Sequence, residues 1–182
     1  MNFGAMDFLL VLIFLALCVV SAVQGLIRSL FSLLVAFLAT VAAGLLYPYM
    51  ATFVSAIGGK TPTLTHFVVF WILFVGATVA LEIALRKGFP DTRLPSLGFL
   101  DNVLGILPGI LWGLIVISLL LFSMGYAPQQ TWGKILGSLR VATDYLYDSS
   151  GLRPLLAQFL SFYLTLHRLW MPVPPPILGH GL

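Results

Sequence analysis

Charged residues are scarce in this chain. Only 8% of its 182 residues are Asp, Glu, Lys or Arg, whereas a soluble domain carries roughly 25% of them. So few charges cannot cover the surface of a soluble domain of this size, and the mean hydropathy of +1.06 agrees. Lipid must therefore cover much of the surface, and the sequence predicts a membrane protein whose main surroundings are the lipid bilayer.

Cysteine, histidine and basic runs are also sparse. Cys18 is the only cysteine, which excludes an intrachain disulfide and a cysteine metal cluster. His66, His167 and His180 are far apart in the sequence and lack the paired spacing of a zinc site. The net charge is only +3 and no long basic run occurs, so nucleic acid is not a predicted partner. We predict no metal, cofactor or catalytic residue, and a non-enzymatic protein.

Four apolar stretches dominate residues 1–127. A transmembrane helix needs about 20 such residues. The sequence therefore predicts an all-α, polytopic membrane domain with four transmembrane helices, and Pro48 is expected to end the second of them. The predicted helices cover about residues 7–23, 30–47, 64–85 and 100–124.

The character of the chain changes after the fourth stretch. Residues 128–170 are predicted to form a helical tail, in which 131–148 alternates apolar and charged residues at helical spacing. Such a helix suits a membrane surface or an envelope protein partner. Residues 154–170 are short for a span, so we favour an interfacial position over a fifth span. The proline-rich end, 171–182, is predicted to be disordered.

Two features inside the predicted helices stand out. Glu82 lies four residues before Arg86 near the end of the third helix, which is the spacing of a helical ion pair. Pro108 lies inside the fourth helix, where it removes one backbone hydrogen bond and is expected to cause a kink.

Three glycines recur every four residues in the fourth helix, at Gly105, Gly109 and Gly113. They lie along one stripe, and Asp101 is one step earlier on it. A stripe of small residues allows the backbone of another helix to approach closely. The partner helix belongs either to the same chain or to a second copy, so a homo-oligomer through helix four stays open.

The distribution of Lys and Arg predicts the orientation. The first and third loops carry Arg28, Arg86, Lys87 and Arg93, whereas the second loop carries Lys60. Because basic residues favour the cytoplasmic side of short loops, we predict that the N-terminus and the C-terminus are both outside.

Two motifs carry a family resemblance. Asp7 opens the first helix and is followed by Gln24-Gly25-Leu26-Ile27-Arg28, and a second motif runs from Leu100 to Gly113 with Asp101 and the three glycines in register. Over about residues 6 to 148 the chain resembles the colicin V production protein (CvpA) family. The residues that match its motifs are Gly25, Arg28, Asp101 and the three glycines of the stripe, Gly105, Gly109 and Gly113.

The chain departs from the family pattern at four positions. Gln24, Asn102 and Trp112 stand where the resemblance implies basic residues, and Ser29 stands where an acid or glycine is common. Three basic positions of the family pattern are therefore missing.

The resemblance implies a bacterial inner-membrane protein that supports colicin V production or export, with wider roles in envelope homeostasis. An alternative is a small oligomeric channel or transporter subunit, in which the kinked, glycine-lined fourth helix surrounds a pore. Few polar groups lie at membrane depth, which disfavours transport. An intramembrane enzyme is a third hypothesis, but the sequence has neither convergent metal ligands nor a nucleophile motif.

Overall fold

The computed structural model describes residues 4–58, 64–89, 99–126 and 137–170, together with Leu178. Within these ranges the chain forms helices and no strand, so the predicted all-α class is confirmed. The helices are α1 (Ala5–Gln24), α2 (Leu26–Gly58), α3 (Leu64–Gly88), α4 (Phe99–Tyr126), α5 (Gly137–Asp148) and α6 (Arg153–Leu166), and a 3-10 turn (His167–Leu169) follows α6.

Helices α1 to α4 are each long and apolar enough to cross a membrane. The apolar parts have mean hydropathies between 2.3 and 2.8. Many large apolar side chains point away from the bundle, for example Phe8 at 74% exposure and Ile72 at 65%. An outward apolar surface of this kind is stable in lipid and costly in water. The chain is therefore a multi-pass membrane protein with four spans.

The reversal between α1 and α2 is made by a single residue. Gly25 has φ 85°, a conformation that L side chains rarely adopt. Its N–H donates to the carbonyl of Ser21, while its carbonyl accepts from the N–H of Ser29. The turn is thus shorter than the gap between the predicted helices 7–23 and 30–47, and α2 begins directly at Leu26.

The second helix does not stop at its proline, contrary to the prediction. Helix α2 continues through Pro48 to Gly58. Proline removes one N–H donor, but a transmembrane helix tolerates this loss where its surroundings satisfy the freed group. The carbonyl of Pro48 still accepts a hydrogen bond of 2.8 Å from the Thr52 hydroxyl.

Helix α4 is the centre of the bundle. It packs against α1, α2, α5 and α6, and its second half is fully buried at Leu119, Leu121 and Phe122. It runs without a break from Phe99 to Tyr126 with Pro108 inside, and a kink at Pro108 stays a prediction.

Helix α6 packs against the bundle, while its interfacial position in the membrane stays a prediction. Leu160 and Tyr163 are buried, and the Tyr163 hydroxyl lies 2.9 Å from the hydroxyl of Thr40 on α2. His167 Nε2 lies 3.4 Å from the carbonyl of Phe37, eleven residues after the start of α2 or about 16 Å along it. One face of α6 is thus buried against α2 and α4, and its C-terminal end lies beside Phe37 of α2.

Parts of the predicted tail lie outside the described residues. These are 127–136, which include the start of the predicted amphipathic helix, and all of 171–182 except Leu178. The described part of the amphipathic helix is α5. The side chain of Leu178 is buried.

Candidate functional site

The glycine stripe of α4 lies against α1 of the same chain. A Cβ atom added at Gly109 would lie 2.5 Å from the Cβ of Ser21, and one at Gly113 would lie 2.8 Å from the Phe14 ring. At Gly105 the obstacle is backbone, since the Ser21 carbonyl oxygen would be 2.8 Å away. The two helix backbones therefore approach too closely for any larger residue, as in small-residue packing generally.

Asp101 ties the start of α4 to the start of α2. Its Oδ1 atom accepts a hydrogen bond of 2.9 Å from the N–H of Leu26, one of the donors that a helix start leaves unpaired. The side chain is only 4% exposed. A Cβ atom at Gly25 would collide with this carboxylate. Gly25 and Asp101 therefore form one structural unit, although 76 positions separate them in sequence.

At the opposite end of α1, Asp7 likewise accepts hydrogen bonds from N–H groups at helix starts. Its carboxylate accepts a hydrogen bond of 3.0 Å from the N–H of Gly4, which caps α1. It also accepts bonds from the Ser150 hydroxyl at 2.6 Å and from the N–H groups of Gly151 and Leu152 at 2.8 and 3.3 Å. The start of α6 is thereby fastened to the start of α1.

Ser150 and Gly151 were not singled out by the sequence analysis. The signal that was available is Pro154, which occupies the first turn of α6 and marks a helix start. Such a start leaves N–H groups in need of an acceptor, but nothing in the local sequence identifies Asp7 as that acceptor.

Next to this junction, Tyr147 of α5 packs on Gly125 of α4. The guanidinium carbon of Arg153 lies 4.3 Å from the centre of the Tyr147 ring. Burial raises the pKa of the Tyr147 hydroxyl, and the positive charge of Arg153 partly offsets that rise. Tyr147 is therefore neutral at physiological pH and acts here as a packing residue.

Glu82 is the centre of a polar cluster between α2 and α3. Its Oε2 atom lies 3.9 Å from a guanidinium nitrogen of Arg86, at the predicted spacing, and 3.9 Å from one of Arg28. Its Oε1 atom accepts a hydrogen bond of 2.5 Å from the Ser32 hydroxyl. Sequence reasoning paired Glu82 with Arg86 and did not predict Arg28 or Ser32, which come from another helix.

A cavity of about 400 Å³ opens beside this cluster. Residues from all four spans line it: Gln24, Ser32, Thr78, Val79, Glu82, Ile83, Arg86 and Trp112. Helices α3 and α4 meet elsewhere, where the Trp71 indole N–H donates a bond of 3.0 Å to Ser123. The cavity therefore separates the other halves of these two helices, and we refer to it as the α3–α4 cavity.

Two of the four departures from the family pattern come together in this cavity. Gln24 and Trp112, both at positions where basic residues are implied, line it. Asn102, the third such position, is exposed on α4. Basic residues at 24 and 112 would therefore project into the same space as Glu82.

Metal ligands do not cluster in the part of the chain that the structure describes. No three His, Cys, Asp or Glu side chains lie close enough there to share a metal ion. The chemistry available in the α3–α4 cavity is that of one carboxylate, one guanidinium group, hydroxyls, an amide and an indole. The Arg28 guanidinium group, 3.9 Å from the same carboxylate, adjoins this set without lining the cavity. These groups bind ions and polar headgroups by charge and hydrogen bonding.

Comparison with known proteins extends the resemblance seen in the sequence. The sequence model of the Colicin V production protein family matches residues 6–166, so the match covers α6 as well as the four spans. No curated protein and no solved structure gives a significant match. Since the family match covers most of the chain, this protein belongs to the colicin V production protein family.

Proposed function

We propose that this chain is a non-enzymatic protein of the bacterial inner membrane that supports colicin V production or export, or envelope homeostasis. The observation that carries this proposal is the family match over residues 6–166. A structural role for the buried acids supports its non-enzymatic part. Asp7 and Asp101 are both engaged by N–H groups at helix starts, an arrangement that stabilises the fold and leaves neither carboxylate exposed to a substrate.

A complementation experiment tests this proposal in a colicin V-producing bacterium that lacks its own member of this family. Expression of this chain should restore secreted toxin, measured as killing of a sensitive strain, or restore survival under envelope stress. Gly109→Leu, which removes the α1–α4 contact, serves as the inactive control. If the wild-type chain accumulates in the membrane and restores neither phenotype, the proposal is wrong.

We propose further that the N-terminus and the tail are outside. Four spans place both termini on one side, and the Asp7–Ser150 contact brings the start of α1 next to the tail. The basic residues Arg28, Arg86 and Lys87 then belong to the cytoplasmic side. A tag at each terminus should be digested by protease added to intact spheroplasts. Protection of both tags would reverse the orientation.

The tail offers a surface for an envelope protein partner. On α5, Val141 and Tyr145 are 68% and 71% exposed and lie four residues apart, on one side of the helix. Crosslinking from a photoreactive residue at position 141 should capture a partner in producing cells. The same residue at position 148, which is exposed but charged in the native chain, is the control.

The channel alternative requires the glycine face of α4 to line an oligomer axis. In this chain that face lies against α1, so a homo-oligomer through helix four would use its other exposed residues, such as Val103 and Leu107. This favours the non-pore role. Reconstituted protein should give no single-channel currents across ions, voltages and tension, and reproducible currents abolished by Leu107→Trp would instead support a pore.

A further inference from the structure

We propose that the α3–α4 cavity binds the headgroup of an anionic membrane phospholipid. The site goes beyond the role in toxin production and does not depend on it. Three observations lead to this assignment: the charges around the cavity, its position along the helices, and the order of polar and apolar residues within it.

The described side chains of the Glu82 cluster, which forms the polar end of the cavity, carry a net positive charge. Arg86 lines the cavity, and Arg28 contacts Glu82 from the neighbouring helix. Two guanidinium groups against one carboxylate leave an excess of one positive charge. Both Arg–Glu distances are 3.9 Å, longer than the ~2.8 Å of a charge-assisted hydrogen bond. Each guanidinium group therefore keeps N–H donors available, and their fork geometry suits phosphate oxygens.

The charged end of the cavity lies near the membrane interface. Arg86 is two residues from the end of α3 at Gly88, or about 3 Å along the helix axis, and Glu82 is four residues further in. Helix α3 has 25 residues and is about 38 Å long, whereas the hydrocarbon core of a bilayer is ~30 Å thick. The guanidinium groups are therefore placed at headgroup level, where basic pockets between transmembrane helices bind anionic lipids.

The residues of the cavity follow the order of groups in a phospholipid. Gln24 and Arg86 are at the helix ends, and Ser32 and Glu82 are one to two turns further in. Val79 and Trp112 line the deeper part, where Thr78 already donates its hydroxyl to the carbonyl of Phe74. A headgroup phosphate fits the first region, and the start of an acyl chain fits the second. A diffusible phosphate ion would leave the apolar part of the cavity unused.

Native mass spectrometry of the full chain in detergent, with phosphatidylglycerol or phosphatidylcholine added, tests this site. The wild-type chain should retain phosphatidylglycerol in preference to phosphatidylcholine. The double variant Arg28→Gln/Arg86→Gln should weaken that retention by about tenfold or more, because charge-assisted hydrogen bonds are lost. The matched control, Lys87→Gln/Arg153→Gln, also removes two positive charges, but at residues that neither line the cavity nor pair with Glu82. It should bind lipid like the wild-type chain.

Two further variants should increase phosphatidylglycerol retention, in contrast to the double variant. Glu82→Gln keeps an oxygen for Ser32 and removes the negative charge, so phosphatidylglycerol retention should increase. Gln24→Arg adds a donor to the cavity and should also increase it. Thermal melting of every variant shows whether it is folded before its lipid binding is compared.

Four outcomes would overturn the proposal. These are equal retention of the two lipids, equal loss in the double variant and its control, loss of binding in Glu82→Gln, and displacement of the lipid by excess inorganic phosphate. The third would indicate that the carboxylate itself is the ligand-binding group, and the fourth would indicate a site for free phosphate. Failure of these tests leaves the toxin-production proposal intact, because that proposal is measured by secretion.

Discussion

On one side of α4, glycines bring the backbone of α1 into direct contact, and on the neighbouring side Trp112 lines a cavity of about 400 Å³ between α4 and α3. The first side is closed by small residues and by Asp101, which is only 4% exposed. The second side is open and holds Glu82, whose side chain is 21% exposed. The contrast shows that residue size sets the distance from α4 to each neighbour: the closed side stabilises the fold, and the open side is the one to which we assign the proposed lipid site.

Gly109→Leu should have the largest effect on the stability of the closed side. A side chain at this position meets Ser21 with no free space. Overpacking typically costs ~1–3 kcal/mol and occasionally more, and the size of leucine places this variant at the upper end. We expect loss of folded protein, or a large drop in melting temperature in detergent. The matched control is Gly76→Leu on α3, where a Cβ atom has nothing within 4 Å. Equal stability of the two variants would mean that α1 and α4 are not in close contact.

The glycine stripe also shows how much could be predicted from the sequence. The four spans follow from hydropathy alone, and the period of four at Gly105, Gly109 and Gly113 identifies a close-packing face. The identity of the partner could not be predicted, because α1 is apolar all round and no stripe on it indicates a buried side. The contact depends on Ser21 and Phe14, which carry no distinguishing pattern.

The open side was still harder to predict. Glu82 and Arg86 share a helix, so their spacing gave the pair, whereas Ser32 lies 50 positions away and joins them only through the packing of α2 on α3. The same holds for Asp7 and Ser150, separated by 143 positions. Pro48 was misinterpreted because the rule for soluble helices was applied to a helix that is 33 residues long and lies in lipid.

The next largest effect is expected for Asp7→Ala. The change removes the acceptor of Gly151 and Leu152 and of the Ser150 hydroxyl, so the tail should detach from the closed side of the bundle. Because the freed N–H groups can reach water once the tail moves, we expect a cost of about 2–3 kcal/mol rather than the full sum of the lost bonds. Hydrogen–deuterium exchange at Gly151 and Leu152 should accelerate by about tenfold or more.

The control for this variant is Asp148→Ala. The Asp148 side chain is 74% exposed and lies 3.4 Å from Arg153, and an exposed pair contributes ~0–1 kcal/mol. Its exchange rates at Gly151 and Leu152 should match those of the wild-type chain. Unchanged exchange in Asp7→Ala as well would contradict the role of Asp7 as the acceptor that fastens α6.

Asp101→Ala tests the closed side at the end where α2 begins. It leaves the N–H of Leu26 without its acceptor at the start of α2, a loss that costs about 1–2 kcal/mol in other helix caps. Thermal melting should show this loss. Asn102→Ala, at the neighbouring exposed position, should stay within ~0.5 kcal/mol of wild type. A reversed order of the two variants would exclude Asp101 as the cap of α2.

The smallest effect is expected for Glu82→Gln on the open side. The glutamine keeps an oxygen for the Ser32 hydroxyl, and the two Arg contacts that it loses are long and partly solvated, so their contribution to stability is at most ~1 kcal/mol. Thermal melting should therefore barely change, while lipid retention increases. Glu82→Gln should thus change lipid retention and leave the stability nearly unchanged. Asp101→Ala should lower the stability without changing the charge around the α3–α4 cavity, so the two variants distinguish the two sides of α4. A large loss of stability in Glu82→Gln would instead mean that the polar cluster holds α2 against α3, and that the open side is structural as well.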